Sequence, residues 1–303
     1  AMYYRGIYVV SVANEYIRAT AGKDDADIRR FAAEARFIRA LAYTHGIDLF
    51  GNLPFITEAD APGAFLPQQK SRSEIFAYVE DELLAIEDEL GAARFEYGRA
   101  DQAAAWTLLA KLYLNAEVYT GQDRYTDCIT YCNKVFGSAY TLADVHLHNF
   151  LADNHLSPEI IFPVTYDGTY TQSYIINAML GGSMDKEGTF GSKSGWSGLR
   201  TTAALVEKFE DPSGDTDSRA YFWSDGQSLQ INDIGVFTDG YAITKFRNKT
   251  STGALAPNVA YDGNGNTFMD TDFPMFRLAD VYLMFAEAVL RGGNGGTLGE
   301  ALG

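Results

Sequence analysis

The clearest pattern of apolar and polar positions lies in residues 31–58, where apolar or small side chains recur about every 3.6 residues. The apolar stripe comprises Phe31, Ala35, Ile38, Leu41, Ala42 and Leu49. This spacing predicts one amphipathic helix whose stripe packs in a core. The charged residues fall largely off the stripe, as ordinary partners on the helix surface: Arg30, Glu34, Arg36 and Arg39. We expect the helix to end at Gly51 and Pro54, because glycine relaxes a helix end and proline cannot continue it.

Helical spacing recurs through the rest of the first half of the chain. Ser71 and Glu74 form a capping-box pattern, in which each side chain accepts a hydrogen bond from the other residue's backbone N–H. Cys128 and Cys132 lie four residues apart on one predicted helix face, and we expect them to be core thiols. Consecutive helix pairs of this length predict a tetratricopeptide-like scaffold. The predicted helices cover about residues 3–19, 74–90, 101–119 and 123–136.

The pattern changes near Tyr140. The sequence becomes rich in Gly, Ser, Asn and Asp, with short β-like runs at 159–164 and 241–246. Helical spacing then returns close to the end of the chain. We therefore predict a mostly α protein with a helical scaffold at 1–140 and a loop-rich lobe at 141–303 that includes a returning helix at 274–291.

Charge narrows the possible partners. The chain has 24 basic and 40 acidic residues, for a formal net charge of −16. Nucleic acid is not an expected partner, because binding its phosphates needs clustered lysine and arginine. An anionic membrane surface is disfavoured for a similar reason, and no apolar run is long enough to span a bilayer. The 19 tyrosines are hard to bury with every hydroxyl paired, so some are expected on a wet or grooved surface.

Several segments, taken in order, resemble the SusD-like (SusD/RagB) family of nutrient-binding outer-membrane lipoproteins. The closest similarity is EARFIRA at 34–40 followed by DLFGNLP at 48–54. The opening YYRGIYVVSVANEYI is similar to the first helix of the family. The run PEIIF at 158–162 and the run FRLADVYLMFAEA at 276–288 resemble the start of its central strand and its late helix. Each piece is short, and their order along most of the chain makes the resemblance specific.

The resemblance implies a binding function at the outer face of the outer membrane. It implies a tetratricopeptide-like (TPR) α-α superhelix that captures a glycan or oligosaccharide without catalysis and passes it to a SusC-like TonB-dependent transporter. The expected protein is a surface lipoprotein of gut bacteria, whose lipid anchor and final helices lie beyond this sequence. No cofactor is expected. Peptide or other nutrient binding, a protein-binding helical-repeat scaffold and a glycoside hydrolase stay open as alternatives.

Glycan capture implies exposed aromatic side chains in irregular sequence, because the C–H faces of sugar rings stack on flat groups. Trp196 lies in GSKSGWSG, which offers little core around it, with domain packing as the alternative role. Trp223 is a second candidate, although its aromatic neighbours favour a core cluster. The remaining candidates are Tyr170 and Tyr174, Phe65 at the tip of the loop at 59–70, and the polar residues Asn177, Asp60 and Asp185.

Two places suggest metal ligands. The segment DGNGN resembles the start of an oxygen-ligand calcium loop, with Asp262, Asn264 and Asn266 as weak candidate ligands. Phe273 stands where an EF-hand needs glutamate, so a plain turn of Asx and Gly residues is favoured. His146 and His148 would face one side of a strand, and no nearby cysteine or carboxylate arrangement completes a site with them. We therefore expect surface or capping roles for these histidines.

Overall fold

The structure is a computed structural model and describes residues 2–60, 63, 65–181, 184 and 186–302. It divides into two compact units, one formed by 1–140 with 276–303 and the other by 141–275. The first unit is helical, and the second contains short helices and strands joined by long turns. The predicted mostly α fold is therefore confirmed.

Helices account for most of the regular structure. In chain order they are α1 (Met2–Thr20), α2 (Ala26–Phe50), α3 (Arg72–Ile86), α4 (Gln102–Leu114), α5 (Ala116–Thr120), α6 (Tyr125–Phe136), α7 (Ile175–Met179), α8 (Lys186–Phe190), α9 (Ala203–Val206), α10 (Leu278–Leu290) and α11 (Leu298–Leu302). Two short 3₁₀ helices cover His146–Phe150 and Asn154–Leu156.

The strands are short. They are β1 (Leu53–Pro54), β2 (Gln69–Lys70), β3 (Ile160–Val164), β4 (Arg200–Thr201), β5 (Phe222–Trp223), β6 (Tyr241–Ile243), β7 (Ala260–Tyr261), β8 (Thr267–Phe268) and β9 (Phe273–Arg277). They form three two-stranded sheets, β1–β2, β3–β9 and β7–β8, and one three-stranded sheet in the order β4–β6–β5.

Neighbouring helices of the first unit pack in pairs, as a tetratricopeptide-like scaffold requires. The main pairings join α1 with α2, α2 with α3, α4 with α6 and α6 with α10. Small buried side chains at Ala103, Ala104 and Ala105 allow close approach to α4. The thiols of Cys128 and Cys132 are buried and free, as predicted.

Helix α2 is the amphipathic helix predicted from the apolar stripe. The carboxylate of Asp25 caps its first turn by accepting from the backbone N–H groups of Asp27 and Ile28. Gly51 ends it with a positive φ of 77°, a conformation that favours glycine. Its buried face is rotated from the predicted stripe, because among the stripe residues only Leu41 is buried, while Phe31, Ala35, Ile38 and Ala42 are partly exposed and Leu49 in the last turn is exposed. The face that packs in the core instead includes Phe37, Ala40, Tyr43 and Ile47.

Arg39 is not the surface residue that its position beside the stripe predicts. Its side chain is only 1% exposed and donates to Asn14 Oδ1 at 2.6 Å and to Glu82 Oε2 at 2.7 Å. It also pairs with Glu58. Burying a guanidinium is costly unless its charge is paired, and the carboxylates of Glu82 and Glu58 pair it here. The network ties α1, α2 and α3 together.

The returning helix differs from its prediction in start and in location. Residues 273–277 form strand β9, and helix α10 begins only at Leu278. Helix α10 packs on α6 and α4, where Tyr282 stacks on Phe136 with ring centroids 4.4 Å apart. The contacts therefore group it with the N-terminal helices rather than with the loop-rich lobe.

The second unit encloses its own apolar core. The core comprises Phe150, Ile176, Leu180, Met184, Phe190, Ala242, Phe246 and Met269. The predicted runs at 159–164 and 241–246 correspond to β3 and β6, while the predicted strand around His146 and His148 is a 3₁₀ helix. The ring of His146 instead stacks on Tyr221, with centroids 5.7 Å apart and planes 4° from parallel. Within the described ranges, no helix is both long and apolar enough to cross a membrane.

Candidate functional site

The candidate site is built on one irregular segment of the second unit, residues 191–198, which we call the tryptophan loop. It lies against helix α7 and against the hairpin of β7 and β8, whose register pairs Ala260 with Phe268 and Tyr261 with Thr267. The sequence AYDGNGNTF explains the hairpin, because turn-forming Asp, Gly and Asn residues separate two strand-like pairs.

Backbone contacts hold the tryptophan loop in place. The N–H of Trp196 donates to Asn177 O at 2.7 Å, and the N–H of Ser197 donates to Leu180 O at 3.1 Å. Gly195 approaches the same segment so closely that a Cβ there would lie 2.4 Å from Leu180 O. The loop therefore needs glycine at this position for steric reasons.

Trp196 and Tyr174 form an exposed pair of rings, which we call the aromatic platform. Their centroids are 5.7 Å apart with planes inclined by 36°. Trp196 is 50% exposed and Tyr174 is 39% exposed. Tyr174 also packs on the buried ring of Phe268 at 4.9 Å, so one face of the platform rests on the hairpin.

An ordered polar edge surrounds the platform. The indole N–H of Trp196 donates to Asn266 Oδ1 at 2.9 Å, and Asn266 Nδ2 donates to Asp262 Oδ2 at 2.9 Å. The hydroxyl of Tyr174 donates to the same carboxylate at 3.3 Å. The Asn266 side chain and the backbone N–H groups of Asn266 and Asn264 hold the pKa of the Asp262 carboxyl below its usual range.

The calcium candidates lie in the turn of this hairpin. Asp262 Oδ1 accepts from the backbone N–H of Asn264 at 2.8 Å and of Asn266 at 2.9 Å, which is the geometry of an Asx turn. Within the part of the chain that the structure describes, no group of three or more His, Cys, Asp or Glu side chains is arranged to hold a metal. Calcium binding by these residues stays a prediction.

Asn177 supports the platform instead of facing a ligand. It is 0% exposed, its Nδ2 donates to Thr267 O at 2.6 Å, and its Oδ1 accepts from Thr267 N at 3.0 Å. Those bonds join α7 to β8 beneath the tryptophan loop. The prediction that Asn177 contacts ligand therefore needs correction, because a fully buried amide has no access to one.

The other predicted residues lie apart from these contacts. Trp223 is half buried, packs edge-on against Phe190 with centroids 6.2 Å apart, and donates its indole N–H to Asp225 O. Tyr170 is 86% exposed in a turn stabilised by Asp167. Phe65, 48% exposed, belongs to the first unit.

Asp60 also belongs to the first unit, where its carboxylate accepts from the N–H of Thr57 at 2.8 Å. Asp185 lies outside the described residues.

Three neighbours of the platform escape prediction from sequence. The ammonium group of Lys193 lies 3.9 Å from the ring centroid of Tyr261, a partly exposed residue of β7. The hydroxyl of Ser194 lies 2.9 Å from Asn177 Oδ1 and 3.1 Å from Asn266 Oδ1. The turn-forming residues within 260–268 predict a hairpin. That prediction would have placed Tyr261 beside the turn and so identified it as a neighbour of the platform.

The chain thus has a helix-pair scaffold in its first unit and, in its second unit, an open aromatic face edged by hydrogen-bonding groups. A model of the SusD family matches residues 158–302 of this chain. The starch-binding protein SusD of Bacteroides thetaiotaomicron is 35% identical over 98% of this chain. With the shared fold, these matches confirm the resemblance to the SusD family that the sequence indicated.

Solved structures share the fold at lower sequence identity. A SusD-like carbohydrate-binding protein from Bacteroides fragilis superposes with a TM-score of 0.77 at 17% identity, covering 98% of this chain and 62% of its own. A laminarin-binding SusD-like protein gives a TM-score of 0.73 at 24% identity, with 99% and 68% covered. The present chain spans 61% of the length of the Bacteroides thetaiotaomicron protein.

Proposed function

We propose that this chain captures an oligosaccharide, without catalysis, on the aromatic platform formed by Trp196 and Tyr174. The observation that carries the proposal is the exposure of two adjacent rings, 5.7 Å apart, beside an ordered polar edge. A sugar ring has an apolar C–H face that stacks on such rings and peripheral hydroxyls that need hydrogen-bond partners. Both requirements are met within one small surface.

The edge supplies partners of both kinds. The hydroxyl oxygens of Tyr174 and Ser194, whose protons point to Asp262, Asn177 and Asn266, can accept hydrogen bonds, and the ammonium group of Lys193 donates them. The indole and amide orientations are already set by mutual hydrogen bonds, so little side-chain entropy is lost on binding. Each contact is weak, and repeated sugars along one polymer would raise the overall avidity.

We further propose that the bound oligosaccharide passes to a TonB-dependent transporter at the outer face of the outer membrane. The support is the match to the SusD family model and the similarity to a starch-binding relative. The same match supports anchoring to the membrane by a lipid. Neutral glucans are the first ligands to test, because one similar protein is named as starch-binding and another as laminarin-binding.

Hydrolysis is a weaker candidate function. A glycosidase uses two carboxyl groups that flank the scissile bond, one of them acting as a proton donor. The platform carboxylate, Asp262, instead accepts backbone and side-chain hydrogen bonds, and these favour its ionised form. This assignment supports a structural acceptor rather than an acid catalyst.

The experiment that tests the proposal is a binding screen with two ligand libraries. The purified chain is applied to an array of neutral glucans and to a pool of short peptides, with labelled glucan included to detect cleavage products. We expect binding to glucans, with no new reducing ends released. Retention of peptides alone would favour the peptide-binding alternative, and release of products would establish a hydrolase.

A further inference from the structure

Arg247 stands out in the second unit because its guanidinium has no carboxylate partner among the described residues. Its backbone is fixed, since its N–H donates to Phe150 O at 3.1 Å and its carbonyl accepts from Thr271 Oγ1 at 2.8 Å. Its Nε donates to Thr244 O at 3.2 Å. The guanidinium carbon lies 5.5 Å from the ring centroid of Phe190. The side chain is therefore positioned by a carbonyl and a ring, neither of which neutralises its charge.

Several other buried or half-buried arginines of this acidic chain are paired with carboxylates. Arg36 and Arg39 share Glu82, and Arg99 binds Glu34 at 2.7 Å. A guanidinium carries five N–H donors in a planar fork that suits bidentate carboxylate recognition. In Arg247 only Nε has a protein acceptor within the described part of the chain. Burial lowers the pKa of the Arg247 guanidinium, because removing its charge from water costs free energy that no neighbouring anion in the described ranges offsets.

Arg247 lines a cavity of about 380 Å³ that has the composition of a sugar site. The volume falls within the usual range for small-molecule pockets. Flat rings and hydroxyl groups share its wall with apolar side chains such as Val145, Leu147 and Ala220. The ring- and hydroxyl-bearing lining residues include Ser213, Ser218, Tyr221, Phe222, Trp223 and Thr244. Tyr221 is held by its hydroxyl, which lies 2.9 Å from His146 Nδ1.

One carboxylate beside the cavity wall, that of Asp217, already has a partner. Asp217 lies in the turn that supplies Ser213 and Ser218 to the cavity, and it binds Arg219 at 2.7 Å. The guanidinium of Arg219 holds the pKa of the Asp217 carboxyl at about 2, so that carboxylate stays ionised and engaged with its own partner. The cavity thus keeps a net positive group inside a chain of charge −16.

We propose that this cavity binds an acidic sugar, with the sugar's carboxylate paired to Arg247 and its ring against Trp223 or Tyr221. A carboxylate completes the donor fork that the protein leaves open, and a pyranose ring matches the aromatic and hydroxyl-lined walls. The inference uses none of the residues of the aromatic platform. Binding here would give the protein selectivity for uronate-bearing glycans in addition to capture of neutral sugars.

The test compares two ligands that differ only in charge. Glucuronic acid and its uncharged amide, glucuronamide, are titrated into the full chain, and affinity is followed by ligand-observed NMR. We expect the acid to bind at least roughly tenfold more tightly than the amide, since a charged hydrogen-bonded pair is the difference. If the unaltered protein binds the acid and the amide with equal affinity, the proposal is overturned, whatever the variants show. Glucose 6-sulfate, tested in parallel, distinguishes a carboxylate site from a sulfate site.

Variants locate the effect. Arg247→Gln should abolish the preference for the acid, and Arg247→Lys should retain only part of it because lysine lacks the fork. Lys208→Gln is the control, an exposed cation of the same unit, and should keep the preference. Trp196→Ala should also keep it, which separates this site from the platform. An unchanged preference in correctly folded Arg247→Gln would contradict the assignment.

Discussion

The indole N–H of Trp196 donates to Oδ1 of Asn266 across 2.9 Å, although 70 positions separate the two residues in sequence. This bond joins the tryptophan loop to the β7–β8 hairpin. Asn266 is in turn held by Asp262, so the plane of an exposed indole is set by two successive polar contacts. An exposed aromatic ring that is already oriented binds a flat ligand with a smaller loss of entropy.

The steric fit of the tryptophan loop yields the first prediction. Gly195→Ala would place a Cβ 2.4 Å from Leu180 O, so the loop has to move. This movement would displace the Trp196 ring from its position beside Tyr174. We expect weaker glucan binding together with a loss of stability on the order of 1–3 kcal/mol, as for other overpacked sites. Isothermal titration calorimetry and thermal melting measure the two effects.

Gly198→Ala is the control for that substitution. Gly198 belongs to the same loop, and a Cβ there meets nothing within 4 Å. It should bind glucan as the unaltered chain does. Equal binding by both alanine variants would show that the position of the tryptophan loop does not determine affinity.

Asp262 organises the polar edge, and its removal should weaken binding without touching an aromatic ring. Asp262→Ala deletes the acceptor used by Asn266, Asn264 and Tyr174. We expect affinity for glucan to fall by about fivefold, the equivalent of one hydrogen bond of about 1 kcal/mol. Asp215→Ala, an exposed carboxylate of the same unit, should have no effect.

Chelation addresses the calcium candidates at the same turn. Because the Asp262 carboxylate already accepts several N–H groups, we expect glucan binding to be unchanged by EDTA. Loss of binding on chelation, with recovery on adding calcium, would instead establish Asp262, Asn264 and Asn266 as calcium ligands.

The buried network around Arg39 predicts a pH-dependent contribution to stability. Burial alone would raise the pKa of Glu82, but hydrogen bonds and charge attraction from Arg36 and Arg39 outweigh it and lower the pKa below the ordinary 4.5. A lowered carboxyl pKa contributes stability that is present above the unfolded pKa and lost as pH falls through the folded one. Glu82→Gln should cost about 3 kcal/mol at pH 7, since it leaves a buried charge poorly paired.

Denaturant unfolding between pH 7 and pH 3 measures this term. The difference between the unaltered chain and Glu82→Gln should shrink as pH falls from the ordinary carboxyl pKa of 4.5 through the lower pKa of folded Glu82. Glu15→Gln removes an exposed partner of Arg18 and should change stability by less than about 0.5 kcal/mol. A difference that stays constant with pH would exclude an ionic origin.

Local signals in the sequence specify much of the scaffold. The capping box at Ser71 and Glu74 and the helix end at Gly51 are present in the structure, because backbone hydrogen-bonding needs fix them within a few residues. The sequence pattern predicts helix where strand β9 lies. This prediction is wrong because residues 273–277 pair with β3, a strand more than a hundred residues away. Pairing partners at that distance leave no periodic trace in a short segment.

In the candidate site, too, local sequence predicts some features, while others depend on contacts between distant segments. The Gly- and Ser-rich surroundings of Trp196, which offer no core, predict that its ring is exposed. The irregular sequence around Tyr174 predicts the same for that ring. The buried state of Asn177 and of Arg39 could not be found, since burial of a polar side chain depends on partners contributed by other elements. The unpaired donors of Arg247 likewise become visible only in three dimensions.

Glucan affinity of the Trp196→Ala variant tests the central claim most directly. Phe237→Ala is the matched control, an aromatic residue of the same unit with similar exposure that packs on Arg200. Isothermal titration of a neutral glucan oligosaccharide should show Kd raised by roughly thirtyfold for Trp196→Ala, or about 2 kcal/mol, and unchanged for Phe237→Ala. A Trp196→Ala protein that folds normally and binds the glucan as tightly as the unaltered chain would contradict the assignment of the platform.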